Sequence, residues 1–185
     1  SHRKNSSTQS VQLISPVIHD ALKLIRVTLP TTVEIRADID PECRPVMINT
    51  TQIHQIIINI CNNAAHSMRE KGGVLSISLK DTQLVINESL PDFNKGNYLL
   101  LTISDTGHGI PEDIQKRIFE PFFTTNEVGK GTGLGLSVVH GIVEQHHGKI
   151  IVESEIEKGS TFSILFPLAD GEIPKREVTK LQSLE

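Results

Sequence analysis

The chain has 185 residues, 37% hydrophobic and 22% charged, with a formal net charge of −4, a balance that suits one water-soluble domain with a real core. Mild acidity, the lack of a basic block, the absence of tryptophan and an aromatic content of 4% argue against nucleic acid as a partner. No apolar run reaches membrane-spanning length, no signal peptide is visible, and two cysteines, Cys43 and Cys61, are too few for a disulfide framework, so a reducing, cytoplasmic setting is expected.

Residues 1–10 are polar and read as a linker or the edge of a longer chain. Ser15 is placed to cap a helix beginning at Pro16, with Val17, Ile18, Ala21, Leu22, Leu24 and Ile25 as its apolar stripe and Pro30 ending it. Residues 32–37 alternate as a strand, and 46–48 form a short one. Asn49, Thr50 and Thr51 offer caps for a second helix, whose apolar face is Ile53, Ile56, Ile57, Ile60, Cys61, Ala64 and Met68 and which Gly72-Gly73 stops. Residues 74–79 alternate as a half-buried strand, 82–97 read as a long hairpin connection, and 98–103 are continuously apolar, as for a strand covered on both faces. Pro111 starts a short helix. Residues 119–131 carry no period. A further helix follows to about residue 147, ended by Gly148. Two strands, 149–154 and 161–166, turn at Lys158-Gly159, and from residue 170 the pattern fades into a charged tail. Helices do not alternate regularly with strands, which favours an α+β two-layer sandwich over a mostly antiparallel sheet.

Three segments carry chemistry. Gly129-Lys130-Gly131-Thr132-Gly133-Leu134-Gly135-Leu136 opens a helix, and glycines there let backbone N–H groups approach a phosphate beside the positive end of the helix dipole. The segment matches neither the P-loop nor the dinucleotide fingerprint. A flexible surface loop is the plainer alternative. Asn59, Asn63 and His66 stack on one face of the second helix, opposite its isoleucines. The amide oxygen of Asn63 is a suitable hard ligand for Mg²⁺, unless Asn62 and Asn63 merely end a frayed helix. Asp105-Thr106-Gly107-His108-Gly109-Ile110 closes the apolar strand. A carboxylate buried there needs a partner, such as the exocyclic amine of a purine, and the two glycines would let a flat base slide close. A plain turn, with Asp105 accepting from the Gly107 backbone, is the alternative. His140, Glu144 and His147 share a helix face at metal-like spacing but read more simply as solvated or capping residues.

Together and in this order, these segments resemble the ATP-binding domain of bacterial sensor histidine kinases, over residues 11–168. In that family's terms, residues 55–64 (with Asn59, Asn63 and Ala64) look like the N box and Asp105 to Ile110 like the G1 box. Phe119-Glu120-Pro121-Phe122-Phe123 look like the F box and Gly129 to Leu136 like the G2 box, and Gly159-Ser160-Thr161-Phe162 fits the closing strand. The resemblance implies a Bergerat fold: a mixed, mostly antiparallel sheet of about five strands, covered on one face by about three helices, with 1–10 as linker and 169–185 as tail. It implies ATP and Mg²⁺. Asn63 would hold the metal, and Asp105 would accept from the adenine amine, with Gly107, Gly109 and Ile110 beside the base and Thr161 helping through water. Lys130 and the amides of Gly131, Thr132, Gly133, Leu134, Gly135 and Leu136 would hold phosphates. Residues 119–131 would be a mobile lid anchored by packed Phe119 and Phe122. His66 stands where many relatives carry a phosphate-touching Lys. Asn59 stands where hydrolysing relatives carry a Glu base, so phosphoryl transfer to a protein histidine is implied rather than an ATP-hydrolysing clamp or a degenerate nucleotide sensor. None of the eight histidines lies in the family's acceptor motif. The implied partners are therefore ATP or ADP, a dimerisation and phosphoacceptor domain before Ser1, and a response-regulator receiver domain. The chain itself would be monomeric and the full protein a homodimer, with room for a membrane anchor elsewhere in it.

Overall fold

The computed structural model describes residues 8–84, 96–123 and 135–169 and the backbone of 179–180. In chain order these form β1 (Ser10–Gln12), α1 (Ser15–Thr28), β2 (Val33–Ile39), β3 (Val46–Ile48), α2 (Thr50–Ser67), β4 (Gly73–Leu84), β5 (Gly96–Asp105), α3 (Glu112–Gln115), α4 (Gly135–Gln145), β6 (Lys149–Glu155), β7 (Gly159–Pro167) and β8 (Thr179–Lys180). The main sheet runs in the order β2-β4-β5-β7-β6, with β8 beside β4. Only the β2–β4 and β4–β8 pairs are parallel; the other pairs of this sheet are antiparallel. β1 and β3 form a separate antiparallel pair in which Val11 faces Met47.

The strand period of two and the helix period of 3.6 meet in one core. Leu75, Ile77 and Leu79 of β4, Leu99, Leu101 and Ile103 of β5 and Phe162, Ile164 and Phe166 of β7 point into the same apolar cluster as Ile18 of α1, Ile53, Ile57 and Ile60 of α2, and Val139 and Val143 of α4. The opposite face of β5 carries Tyr98 and Leu100 in a small cluster with Leu84 and Leu165. The continuous apolar run in β5 is thus covered on both faces, as its sequence implies. This is the α/β sandwich expected, with three long helices and the four-residue α3 among the described residues.

The helix ends differ from the sequence reading in instructive ways. α1 starts one residue early: Ile14 sits at the N-cap, no side chain caps it, and Ser15 and Pro16 fill the first turn. Leu24, read as part of the α1 stripe, is exposed, because the buried face takes Val17, Ile18, Ala21, Leu22 and Ile25 instead. α1 closes at Leu29, whose extended backbone is what a residue before proline prefers. Asn49 caps α2, its side chain accepting from the Gln52 N–H at 3.0 Å. α2 runs on to Ser67, so Asn62 and Asn63 lie inside it and do not end it. The left-handed residue after α4 is His147 (φ 56°), while Gly148 donates its N–H back to the Val143 carbonyl at 2.9 Å.

The strand ends also extend past their expected limits. β4 and β5 prolong the hairpin to Leu84 and Gly96, which shortens the connection read as 82–97. β1 was not foreseen. All three of its residues are exposed, and beside it Gln9 donates to the Gln145 carbonyl at 2.9 Å, tying this segment to the end of α4.

Candidate functional site

α2 presents a polar face between two glycine-bearing segments. At one end Asn59, half-buried, donates from Nδ2 to the Gly135 carbonyl at 3.2 Å, which joins α2 to the first turn of α4. Asn63 follows one turn later and is exposed, and His66 is half-buried. At the other end Ser67 meets the turn after β5: its carbonyl and its Oγ both accept from the His108 N–H, at 3.3 and 3.0 Å. Asn59 to Ser67 is eight residues of helix, about 12 Å of rise. One face therefore runs from the start of α4 to the turn at Asp105.

Asp105 is the last residue of β5 and only 8% exposed. Burial raises its carboxyl above the usual range. The amides of Gly107 and Ser160, the nearby His108 and the Ser67 hydroxyl pull it back in part. The Gly107 N–H donates to Oδ1 at 2.9 Å, so the plain-turn hydrogen bond is present. It does not exclude a ligand, because an ionised carboxylate has about four acceptor positions.

The glycines of this turn are also required by the packing of the chain itself. A Cβ on Gly107 would overlap Ser67, and one on Gly109, whose φ is +76°, would strike the Glu155 carbonyl. They let the turn press closely against α2 and the β6–β7 hairpin.

Around the turn, Ile110 is half-buried and doubly held. Its N–H donates to Ser154 Oγ at 2.7 Å, and its carbonyl accepts from Gln115 Nε2 at 2.9 Å. Thr161 on β7 pairs with Ser104 on β5 through their hydroxyls at 2.8 Å. Leu136, at the start of α4, packs against the main core. A cavity of about 170 Å³ opens beside the turn, between Ser67, Arg69, Lys71, Thr106, His108 and Glu157. Neither Asn63 nor Asp105 lines it.

The aromatic anchors need correction. Phe119 is half-buried on the core and stacks beside His140 with ring centroids 5.3 Å apart. Phe122, expected to be packed, is 74% exposed with φ 64°. Phe123 packs on the core in its place, with the Arg117 guanidinium 4.5 Å above its ring. The left-handed turn at Phe122 swings that side chain out and brings its neighbour in. Lys130, Gly131, Thr132, Gly133 and Leu134, and the expected lid from residue 124 onward, lie outside the described residues.

Two contributors were missed from sequence. Ser67 gave no signal, because a serine at a helix end is commonplace. His146 is buried: its Nε2 accepts from the Asn49 N–H at 3.1 Å and its Nδ1 lies 2.8 Å from the Ile142 carbonyl, a pattern that requires the neutral ring with the proton on Nδ1. Burial accordingly pushes its pKa below the ordinary value. His140 and Glu144 approach at 3.5 Å, and the described residues contain no cluster of three or more His, Cys, Asp or Glu side chains fit for a metal. Cys43 and Cys61 are both free and buried, and burial pushes the Cys61 thiol up to about 12.

Residues 48–170 match the family described as histidine kinase-, DNA gyrase B-, and HSP90-like ATPase. The sensor kinase CckA of Brucella abortus is 37% identical over 169 residues, covering 89% of this chain and 18% of its own length. Sporulation kinase E of Bacillus subtilis is 33% identical over 156 residues, 84% of this chain and 19% of its own. The chain thus spans under a fifth of the length of these curated relatives. Among solved structures, the catalytic domain of histidine kinase ThkA superposes with a TM-score of 0.68 at 26% identity, over 86% of this chain and 97% of that one. The mycobacterial sensor histidine kinase MprB, at 23% identity and the same TM-score, covers 86% and 98% and shows the shared fold. Sheet order, motif order and family match agree, and the chain belongs to the histidine kinase-, DNA gyrase B- and HSP90-like ATPases, as an ATP-binding catalytic domain of the sensor-histidine-kinase type.

Proposed function

We propose that this domain holds ATP along the polar face of α2 and donates its γ-phosphoryl group to a histidine on another domain. The observation that carries this reading is the single helix face joining Asn59 at the start of α4 to Ser67 at the Asp105 turn. Adenine sits at the Asp105 end, its amine donating to the carboxylate, with Gly107, Gly109 and Ile110 framing it and Thr161 reached through water. The triphosphate extends toward α4, where Lys130 and the amides of Gly131 to Leu136 receive it, with His66 contributing from α2. Phe119, and Phe123 rather than Phe122, fix the near end of the lid.

Mg²⁺ suits this donor set as a metal that arrives with the nucleotide. The chain offers Asn63, a neutral oxygen on an exposed helical position, and no carboxylate cage among the described residues. Mg²⁺ keeps several waters and takes the rest of its shell from phosphate. When bound it neutralises charge on the transferring group. Asn59 is an amide and takes no proton, and its Nδ2 is engaged by Gly135, which supports transfer to a protein nucleophile over activation of water.

The acceptor histidine and the dimer interface belong to a preceding domain, and a response-regulator receiver takes the phosphoryl group onward. The domain works in the cytoplasm as a monomeric unit of a homodimer. Among the described residues no helix is long and apolar enough to cross a membrane. The test is incubation with γ-labelled ATP and Mg²⁺, with and without the full protein's phosphoacceptor domain. Label should reach a histidine of that domain only when it is present. Brisk phosphate release by the chain alone would instead identify an ATP-hydrolysing clamp.

A further inference from the structure

We propose that His146 is a positioning residue for the phosphates of the bound nucleotide: it pins the end of α4 to the start of α2 and so fixes where the first turn of α4 lies. The inference rests on reading that first turn as the phosphate end of the site. Asn49 and Gln52 have the spacing of a capping box, in which the later side chain reaches back to the N–H of the earlier residue. Gln52 gives its N–H to Asn49 Oδ1 at 3.0 Å, which is one half of the box. Its side chain, however, donates to Gln145 Oε1 at 3.3 Å. For the other half α4 supplies an acceptor: the Asn49 N–H goes to His146 Nε2 at 3.1 Å. The ring is held for this task from behind. Its Nδ1 lies 2.8 Å from the Ile142 carbonyl one turn earlier, and Phe166 meets it edge-on with centroids 6.4 Å apart. With His146 3% and Asn49 8% exposed, a lost bond leaves the Asn49 N–H without ready access to water.

A second polar contact joins the same two helices, the bond from Asn59 Nδ2 to the Gly135 carbonyl at 3.2 Å. The start of α2 thus meets the end of α4, and a later turn of α2 meets the start of α4, so the pair is antiparallel. From Asn49 to Asn59 α2 rises about 15 Å, and from Gly135 to His146 α4 rises about 16 Å, so the two bonds are rungs of matching span. The two helices also meet through the shared apolar cluster, with Val139 and Val143 on α4 and Ile53, Ile57 and Ile60 on α2. Apolar burial is non-directional, whereas a hydrogen bond tolerates only a narrow range of length and angle. The rungs therefore set the register. With both made, α4 can neither slide nor swing along α2. With His146 unbonded, Asn59 is left as a single pivot beside the turn that receives phosphate. The base end stands outside this frame. Its turn is held by Ser67 Oγ, which accepts from the His108 N–H, and by the Glu157 N–H, which donates to the His108 carbonyl at 2.8 Å.

The experiment is amide NMR at about pH 8, where a histidine ring is uncharged, on the chain and on His146→Leu, His146→Phe and His146→Gln. Exchange of the Asn49 amide reads the bond, and titrations of ADP and of adenosine read the two ends of the site. The parent should bind ADP more tightly than adenosine. His146→Leu and His146→Phe fill the ring's place without an acceptor, so Asn49 exchange should speed up. ADP should then weaken about three- to tenfold, the worth of a buried neutral hydrogen bond, while adenosine stays within about twofold of the parent. His146→Gln can bring an amide oxygen to the Nε2 position and should restore both Asn49 protection and ADP affinity. Equal losses for ADP and adenosine, or fast Asn49 exchange with ADP affinity unchanged, overturn the proposal. Weakened ADP binding in a variant that keeps Asn49 protected overturns it as well. A parent that binds adenosine as tightly as ADP shows instead that phosphates gain nothing at α4; the placement of the nucleotide then fails first, and the role of His146 with it. Thermal unfolding shows which variants keep the fold, and either apolar variant alone decides the result.

Discussion

Asp105 has opposite consequences for the free protein and for the nucleotide complex, because its partners within the protein offset only in part the burial that raises its carboxyl, and an amine donating to it would offset more. A carboxyl raised in the folded state contributes stability below its unfolded pKa and loses that contribution as pH rises through the folded value. At neutral pH the nucleotide-free protein therefore carries an unfavourable charge, and Asp105→Asn should raise its melting temperature in calorimetry. The same position should be costly for binding: Asp105→Ala is expected to weaken ATP by ~1.5–3 kcal/mol, roughly ten- to a hundredfold in Kd. Unchanged affinity by isothermal titration would remove adenine from this turn. His146 has the reverse sign. Its lowered pKa gives stability that is present above its unfolded value, about 6.5, and is lost as pH falls. Protonation also removes the acceptor for the Asn49 N–H. The melting temperature should drop between about pH 7 and 5, and His146→Gln should flatten that slope. The place of Asp105, buried at a strand end, was legible in the sequence because a carboxylate closing an apolar run stands out chemically. Ser67 and His146 could not, because their roles arise from partners 41 and 97 residues away.

Among the elements, α2 has an apolar and a polar face, and both were legible because isoleucines at helical spacing leave the asparagines no choice of side. Its start depends on a single side chain, so Asn49→Ala should cost about 1 kcal/mol in denaturant unfolding, the usual loss for an N-cap. β5 was equally legible, an apolar run broken only by Thr102 and covered on both faces. β1 was not: three exposed residues with one short partner carry no periodic signal, and their pairing with β3 is decided by tertiary position. The Phe119–Phe123 segment shows a finer limit. Composition announces aromatic anchors, but which of two adjacent phenylalanines turns inward depends on one left-handed residue. Phe123→Ala should therefore destabilise the domain measurably, while Phe122→Ala stays within about 0.5 kcal/mol of the parent, as surface substitutions do. Comparable losses for the two variants would contradict the inward and outward assignment.

For the whole molecule, the sandwich class followed from irregular alternation of helices and strands, but the parallel β2–β4 pair did not. That pairing needs the chain to cross over through β3 and α2 before returning beside β2, and no local pattern encodes the return. The domain taken alone should bind ATP with Mg²⁺ yet show neither self-phosphorylation nor appreciable hydrolysis, as labelled-ATP incubation would report. A labelled histidine within residues 1–185 would contradict this. One buried atom also makes the sandwich its own gauge. Cys61 lies fully enclosed on α2, with a thiol at about 12, and so has neither thiolate nor access while the layers are closed. Alkylation at that sulfur, followed by mass spectrometry, then counts openings of the helical layer and nothing smaller. Nucleotide that binds only the closed form must lengthen the waiting time by the factor 1 + [L]/Kd, when opening is the fast step. The protein thus carries an intrinsic clock from which its affinity for ATP can be read without any reporter being attached.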